Sequence, residues 1–119
     1  MLSQFTKDSV KDFLNICKRE IKKGNCYFVS NRNLYINGVK YNAIQALIDI
    51  GITDVKEIWK HISLLEVNDC IKVDFDYDKR RDMNSEIYVF KKHINNHCVY
   101  IKLTLRTSGI VCISFHKDY

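Results

Sequence analysis

The chain has 119 residues, 46% of them apolar and 28% charged, with a formal net charge of +5. That suits one domain with one core and leaves little room for a second; with no proline and only four glycines it also excludes a linker or low-complexity segment. The modest excess of Lys and Arg is compatible with nucleic acid or an acidic protein partner and requires neither.

The opening run MLSQFTKDSVKDF lacks the long apolar core of a secretion signal, and no stretch reaches membrane-spanning length. Cys17, Cys26, Cys70, Cys98 and Cys112 are odd in number and show no CxxC spacing. They read as free thiols of a reducing cytoplasm, not as a disulfide framework or a zinc site.

TKDSVKDFLNICKREIKKGN predicts the first helix. Thr6 or Ser9 caps it, Asp8 and Asp12 sit near its positive end, and Gly24 stops it. Val10, Phe13, Leu14, Cys17 and Ile21 recur at helical spacing and form one apolar stripe. Lys18, Arg19, Lys22 and Lys23 crowd the last turns, where the helix dipole favours them without any RNA contact. CYFVSN is then a short extended segment, and RNLYINGVK is a loop or small hairpin turning at Asn37-Gly38. A second helix, YNAIQALIDIGI, is capped by Asn42, buries Ile44, Leu47 and Ile48, and ends at Gly51. A third, within TDVKEIWKHISLLEVNDC, starts at Thr53 or Asp54 and buries Val55, Ile58, Trp59, Ile62 and Leu65.

After Cys70 the apolar period falls to two. CIKVDFDYD alternates, KRRDMNS is a polar loop, and EIYVFKKH, CVYIKLTL and IVCISFH are strands joined by the turn-like INN and RTSG. Helices first and an antiparallel meander second predict a single α+β domain over 1–119, with N-terminal helices packed on one face of a C-terminal antiparallel sheet.

Alternation then sorts the strand residues by face. Val99, Ile101, Leu103 and Leu105, with Val111, Ile113 and Phe115, and with Ile87 and Val89, make an apolar set. Opposite them fall Cys98, Tyr100, Lys102 and Thr104; Cys112, Ser114 and His116; and Glu86, Tyr88, Phe90 and Lys92. A one-sided sheet must show water something, and polar residues suffice for that. The same residue types also suit RNA: tyrosines stack on bases, lysines neutralise phosphate, and histidine transfers protons near neutral pH. They further suit cleavage without a metal, in which a 2′-hydroxyl loses a proton, the 5′-oxygen gains one, and cations hold the charge on phosphorus. Asp74, Asp76, Asp78 and Asp82 lie beside Lys79, Arg80 and Arg81 and read as a solvated edge; their spacing lacks the glycine and terminal glutamate of a calcium loop. No metal or other cofactor is expected.

The run SEIYVFKKHINNHCVYIKLTLRTSGIVCISFH resembles the C-terminal half of the MqsR family of type II toxins. Members show a strand like E-I-W-V-F, then V-Y-I-K-L, then S-F-H or S-F-K at the end. LIDIGIT resembles the family's L-x-x-L-G-L-T, and LLEVNDCIK occupies the place of L-S-x-x-D-Y-x-K, so the likeness covers most of residues 8–117. Tyr88 stands where many members carry tryptophan, and NRNLYINGVKY is longer than the family's usual link. The resemblance implies a RelE-like fold and a ribosome-independent, metal-free endoribonuclease that cuts messenger RNA in the bacterial cytoplasm and is silenced by an antitoxin protein.

Carried over position by position, Lys72, Tyr100 and His116 fall on the family's lysine, tyrosine and final basic residue. His116 would act as general acid or base and Tyr100 would orient or help deprotonate the 2′-hydroxyl. Lys72, with Arg80 or Arg81, would stabilise the phosphorane, while Lys102 and Tyr88 would add phosphate and base contacts. Structural alternatives stand beside these roles: an exposed strand lysine guards a sheet against aggregation, and Tyr88 with Tyr100 could be a cross-strand aromatic pair. His61, His93 and His97 read as surface or turn residues. Two other functions fit the same scaffold, a non-catalytic inhibitor or adaptor and a plain nucleic-acid-binding module.

Overall fold

A computed structural model describes residues 6–31, 33–76 and 85–118. Helix α1, Lys7–Lys23, is held at both ends as its sequence demands. Thr6 Oγ1 accepts from the Ser9 amide at 3.1 Å, and Ser9 Oγ accepts from the Thr6 amide at 3.2 Å, a reciprocal cap that satisfies two otherwise orphaned donors. Gly24, at φ 83°, turns the chain left-handed so that its amide and that of Asn25 reach back to Ile21 and Glu20. Val10, Phe13, Leu14 and Cys17 are the buried stripe, while Lys18, Arg19, Lys22 and Lys23 are exposed.

Strand β1 is Cys26–Phe28, and β2 (Asn33–Ile36) with β3 (Val39–Asn42) forms a separate two-stranded sheet. The hairpin turns at Asn37-Gly38 with φ 50° and 79°, the doubly positive geometry that matches strand twist. Asn42 then caps α2, Ala43–Ile48, accepting the Gln45 amide at 2.7 Å. The buried stripe of α2 differs from the expected one. Ala43, Ala46 and Leu47 are buried, followed by Ile50 and Ile52, while Ile44 and Ile48 are 39% and 49% exposed. Positions 43, 46, 47 and 50 are as regular a helical stripe as 44, 47 and 48, and their small alanines let α2 lie close against the sheet. Helix α3, Glu57–Ser63, begins later than expected because Asp54 first closes a turn by accepting the Lys56 amide at 3.0 Å. Ile58, Ile62 and Leu65 are buried, and Trp59 packs on the core partly buried. A short 3-10 turn, Val67–Asp69, leads into the main sheet. No helix among the described residues is long and apolar enough to cross a membrane.

Strands β4 (Cys70–Asp76), β5 (Ser85–Ile94), β6 (His97–Arg106) and β7 (Gly109–Lys117) form the expected antiparallel meander, in the order β7-β6-β5-β4. The sheet as a whole is mixed, because β1 adds a parallel edge strand to β7 in the register Cys26–Ile110, Tyr27–Val111, Phe28–Cys112. The α+β class holds, and the purely antiparallel expectation does not. Helix residues Val10, Phe13, Leu47, Ile58 and Ile62, with Ile50 just after α2, share one core with the sheet residues Phe90, Ile101, Leu103 and Phe115.

The expected face assignment fails on two strands. In β5 the helices cover Tyr88, Phe90 and Ile94, leaving Ile87, Val89 and Lys91 on the open face. Ile-Tyr-Val-Phe is apolar at both parities, so alternation there has no sign; the pairing of Tyr88 with Leu103 and Phe90 with Ile101 decides it. In β7 a bulge intervenes. Ser114 pairs with Lys102 but Cys112 with Leu103, so Ile113 is the extra residue. Ile110 and Cys112 therefore face the core before the bulge and Phe115 after it, while Val111 turns to the open side.

Gly109, at φ 131°, lies against β1 so closely that a Cβ would run into Asn25. Its neighbour Ile110 donates to Asn25 O at 3.0 Å, tying the parallel strand in place. Gly109→Ala is expected to lower stability by about 1–3 kcal/mol through strain and loss of this edge. Urea unfolding checks it, and an unchanged midpoint would contradict the close approach.

Candidate nucleic-acid interface

Cross-strand register builds the open face rung by rung, since directly paired residues share a side. One rung holds Lys91, Tyr100 and His116; the next holds Lys72, Val89, Lys102 and Ser114. Successive rungs on one face are about 7 Å apart. The structure thus brings together the sequence-predicted Lys72, Tyr100, Lys102 and His116, from three strands and within two rungs.

The rings of Tyr100 and His116 stack with centroids 5.5 Å apart at 25°. Lys102 Nζ stands 5.7 Å from the Tyr100 ring centroid, a cation against the negative face of the phenol. His116 Nδ1 lies 2.8 Å from the Lys117 carbonyl oxygen, which can only accept. Nδ1 therefore carries the proton, and in the neutral ring Nε2 is left as the basic nitrogen. Val89 is fully buried on this side of the sheet, with Lys72 and Lys102 as its register partners. Thr104, one rung beyond, donates its hydroxyl to Glu86 O at 2.8 Å, so this buried hydroxyl is satisfied.

Two site residues were not expected from the sequence. Lys91 is the register partner of Tyr100, and its ammonium meets the Asp118 carboxylate at 2.8 Å. That hydrogen bond, with the charge of Asp118, holds Lys91 above its ordinary pKa. Asp118 is itself anchored by its amide, which donates to Cys98 O at 2.8 Å. The Asn95-Asn96 turn carries the missed signal: a two-residue hairpin pairs Ile94 with His97 and so sets Lys91 opposite Tyr100. Lys92, expected on the polar face, instead sits on the helix side and bridges Asp69 at 3.6 Å.

Tyr88 does not join the face. Its ring stacks on Phe13 of α1 at 3.8 Å and 11°, inside the core, so neither base contact nor a cross-strand pair with Tyr100 is available to it. Burial first, and the Glu86 carboxylate second, push its phenol up to about 12. Arg80 and Arg81 lie outside the described residues. Lys72 pairs with Asp74 at 3.3 Å, an exposed contact that phosphate can displace at small cost.

The buried thiols are poor nucleophiles: burial pushes Cys17 up to about 12 and Cys70 up to about 11, and raises Cys112 as well. Among the described residues no three His, Cys, Asp or Glu side chains cluster as metal ligands would. A groove of about 430 Å³ lies elsewhere, between α1 and the 3-10 turn, lined by Lys7, Lys11, Leu14, Lys18 and Leu65; none of the paired sheet residues borders it. What the open face offers is an aromatic–imidazole stack with Lys102 against the phenol and Lys91 and Lys72 on the two neighbouring strands. Compared with known proteins, the chain matches no family model and no curated sequence.

Proposed function

We propose that the protein is a metal-independent endoribonuclease that cuts messenger RNA, the toxin of a type II toxin–antitoxin pair of the MqsR kind with a RelE-like fold. The observation that carries this reading is the stacked Tyr100–His116 pair with Lys91, Lys102 and Lys72 around it. In this reading His116 Nε2 removes the proton of a 2′-hydroxyl, whose oxygen attacks the adjacent phosphorus. The bond from phosphorus to the 5′-oxygen breaks, that oxygen takes a proton from water, and the product end is a 2′,3′-cyclic phosphate. Tyr100 orients the ribose against the imidazole, and the lysines hold the charge that accumulates on the phosphoryl oxygens. Arg80 and Arg81, between β4 and β5 in the chain, add phosphate contacts in this reading, and Tyr88, stacked on Phe13 in the core, has no part in it. The partners are RNA and an antitoxin protein, and the compartment is the cytoplasm.

Purified protein is expected to cut single-stranded RNA in the presence of EDTA and leave cyclic-phosphate ends. RNA that stays intact with excess folded protein overturns the nuclease reading. Salt-sensitive binding without cutting would mark a nucleic-acid-binding module instead. Neither binding nor cutting would mark an adaptor.

A further inference from the structure

Strand β1 extends the open face past the stacked pair. Phe28 packs on the core, Cys26 is half-buried, and Tyr27 between them points the other way, 49% exposed. Its register partner is Val111, which pairs in turn with Thr104, and Thr104 with Ile87. Thr104 lies two rungs from Tyr100, so Tyr27 is about 14 Å along the strands from the stacked pair, and about 5 Å across from the strand that carries His116.

The side chains between are short. Ser114 and Thr104 are buried and Val111 is half-buried, so small side chains pave the path from His116 to Tyr27. Lys102 stands on the intermediate rung and Arg106 on the rung beyond Thr104, both on this side of the sheet. An exposed aromatic ring, a floor of short side chains and flanking cations suit an extended single strand, whose bases stack while its phosphates meet lysine or arginine. The distance corresponds to roughly two to four nucleotides, the upper figure for stacked bases at about 3.4 Å each.

We propose that Tyr27 is the stacking platform of a second RNA subsite, holding an unpaired base a few nucleotides to one side of the scissile phosphate. The proposal rests on the RNA-cleaving reading of this face. Tyr27 is a binding residue in it, with no part in proton transfer. Any base can occupy the platform, because every base has a π-face, so the subsite adds affinity and strand placement without strict sequence choice.

The test uses a short unpaired RNA whose cut position has been mapped, and versions in which one nucleotide at a time is made abasic. With the wild-type protein, one position two to four nucleotides from the cut is expected to lose about tenfold in kcat/KM, chiefly through KM, when its base is removed. Tyr27→Ala is expected to show that loss on intact RNA and no further loss on the abasic version, while Tyr27→Phe and Tyr27→Trp keep wild-type behaviour. The subsite is overturned if Tyr27→Ala cuts intact RNA as the wild type does, or if its deficit is as large on every abasic substrate as on the intact one. If the wild-type protein neither binds nor cuts RNA, the nuclease reading itself fails and takes the subsite with it. A wild type that cuts, with no sensitive position at this distance, removes the subsite alone.

Discussion

His116→Ala is expected to slow single-turnover RNA cleavage by about 10²–10⁴-fold, the usual worth of a positioned general acid or base. The ring is half-buried at the end of β7 and contributes no part of the core, so stability should stay within about 1 kcal/mol of the wild type. The bond from Nδ1 to the Lys117 carbonyl is what makes the residue apt for the task, because it fixes the ring's orientation and its tautomer, with Nε2 as the basic nitrogen of the neutral ring. Its stack against Tyr100 holds the ring from the other direction. Tyr100→Phe preserves that stack while deleting the hydroxyl, and so separates orientation by the ring from hydrogen bonding to the ribose. Single-turnover rates on one oligonucleotide, with urea unfolding of the same samples, settle the matter. A His116→Ala protein that cuts at the wild-type rate would place the chemistry elsewhere.

Tyr88→Ala is expected to destabilise the fold by about 3–5 kcal/mol, because it leaves a cavity opposite Phe13 where α1 meets the sheet. The folded fraction should bind and cut RNA as before, in contrast to any role for this residue on the open face. Tyr88→Phe keeps the stack and should cost little, since the hydroxyl makes only a 3.4 Å contact with Glu86 Oε2. Its effect shows instead at high pH. The folded-state phenol is raised from 10.0 to about 12, so the unfolded chain releases its proton first. The folded state then binds more protons, and stability falls as pH rises from about 10 to about 12. Cys17 and Cys70 act in the same direction from about pH 9 upward. The difference between wild type and Tyr88→Phe isolates the tyrosine: a shallower alkaline decline in the variant is the expected result, and identical slopes would place the phenol in water.

Much of the architecture is legible from local chemistry alone. The Thr6 cap, the Gly24 stop, the Asn37-Gly38 turn and the change from helical to alternating spacing after Cys70 each depend on neighbours within a few residues. The grouping of Tyr100, Lys102 and His116 on one side is legible too, although the count through β7 reaches it by a route the bulge corrects. Val111 and Cys112 exchange faces while Ser114 and His116 keep theirs, because the extra residue at Ile113 restores the expected parity after it has failed.

Strand β5 marks the limit of that reading. With apolar residues at 87, 88, 89 and 90, burial cannot choose a side, and alternation alone sets Tyr88 with the site residues. Register chooses instead, and it enters through the Asn95-Asn96 turn, which also supplies Lys91 to the rung of Tyr100 and His116. In α2 the two isoleucines expected inside yield to two alanines, since what packs there is a close approach of backbone to sheet and not the larger side chain.

By itself, then, the sequence determined both ends of α1, the cap of α2, the turns, the α+β layering and the residue types on the strands, all of them consequences of short-range periodicity and backbone preference. Only the tertiary structure decided that β1 runs parallel to β7, that Tyr88 packs on α1, and that Lys91, Tyr27 and Asp118 share the side of His116. Those are matters of pairing between distant segments. A one-residue slip in register exchanges the two faces of a strand, and no local preference in an all-apolar strand opposes it.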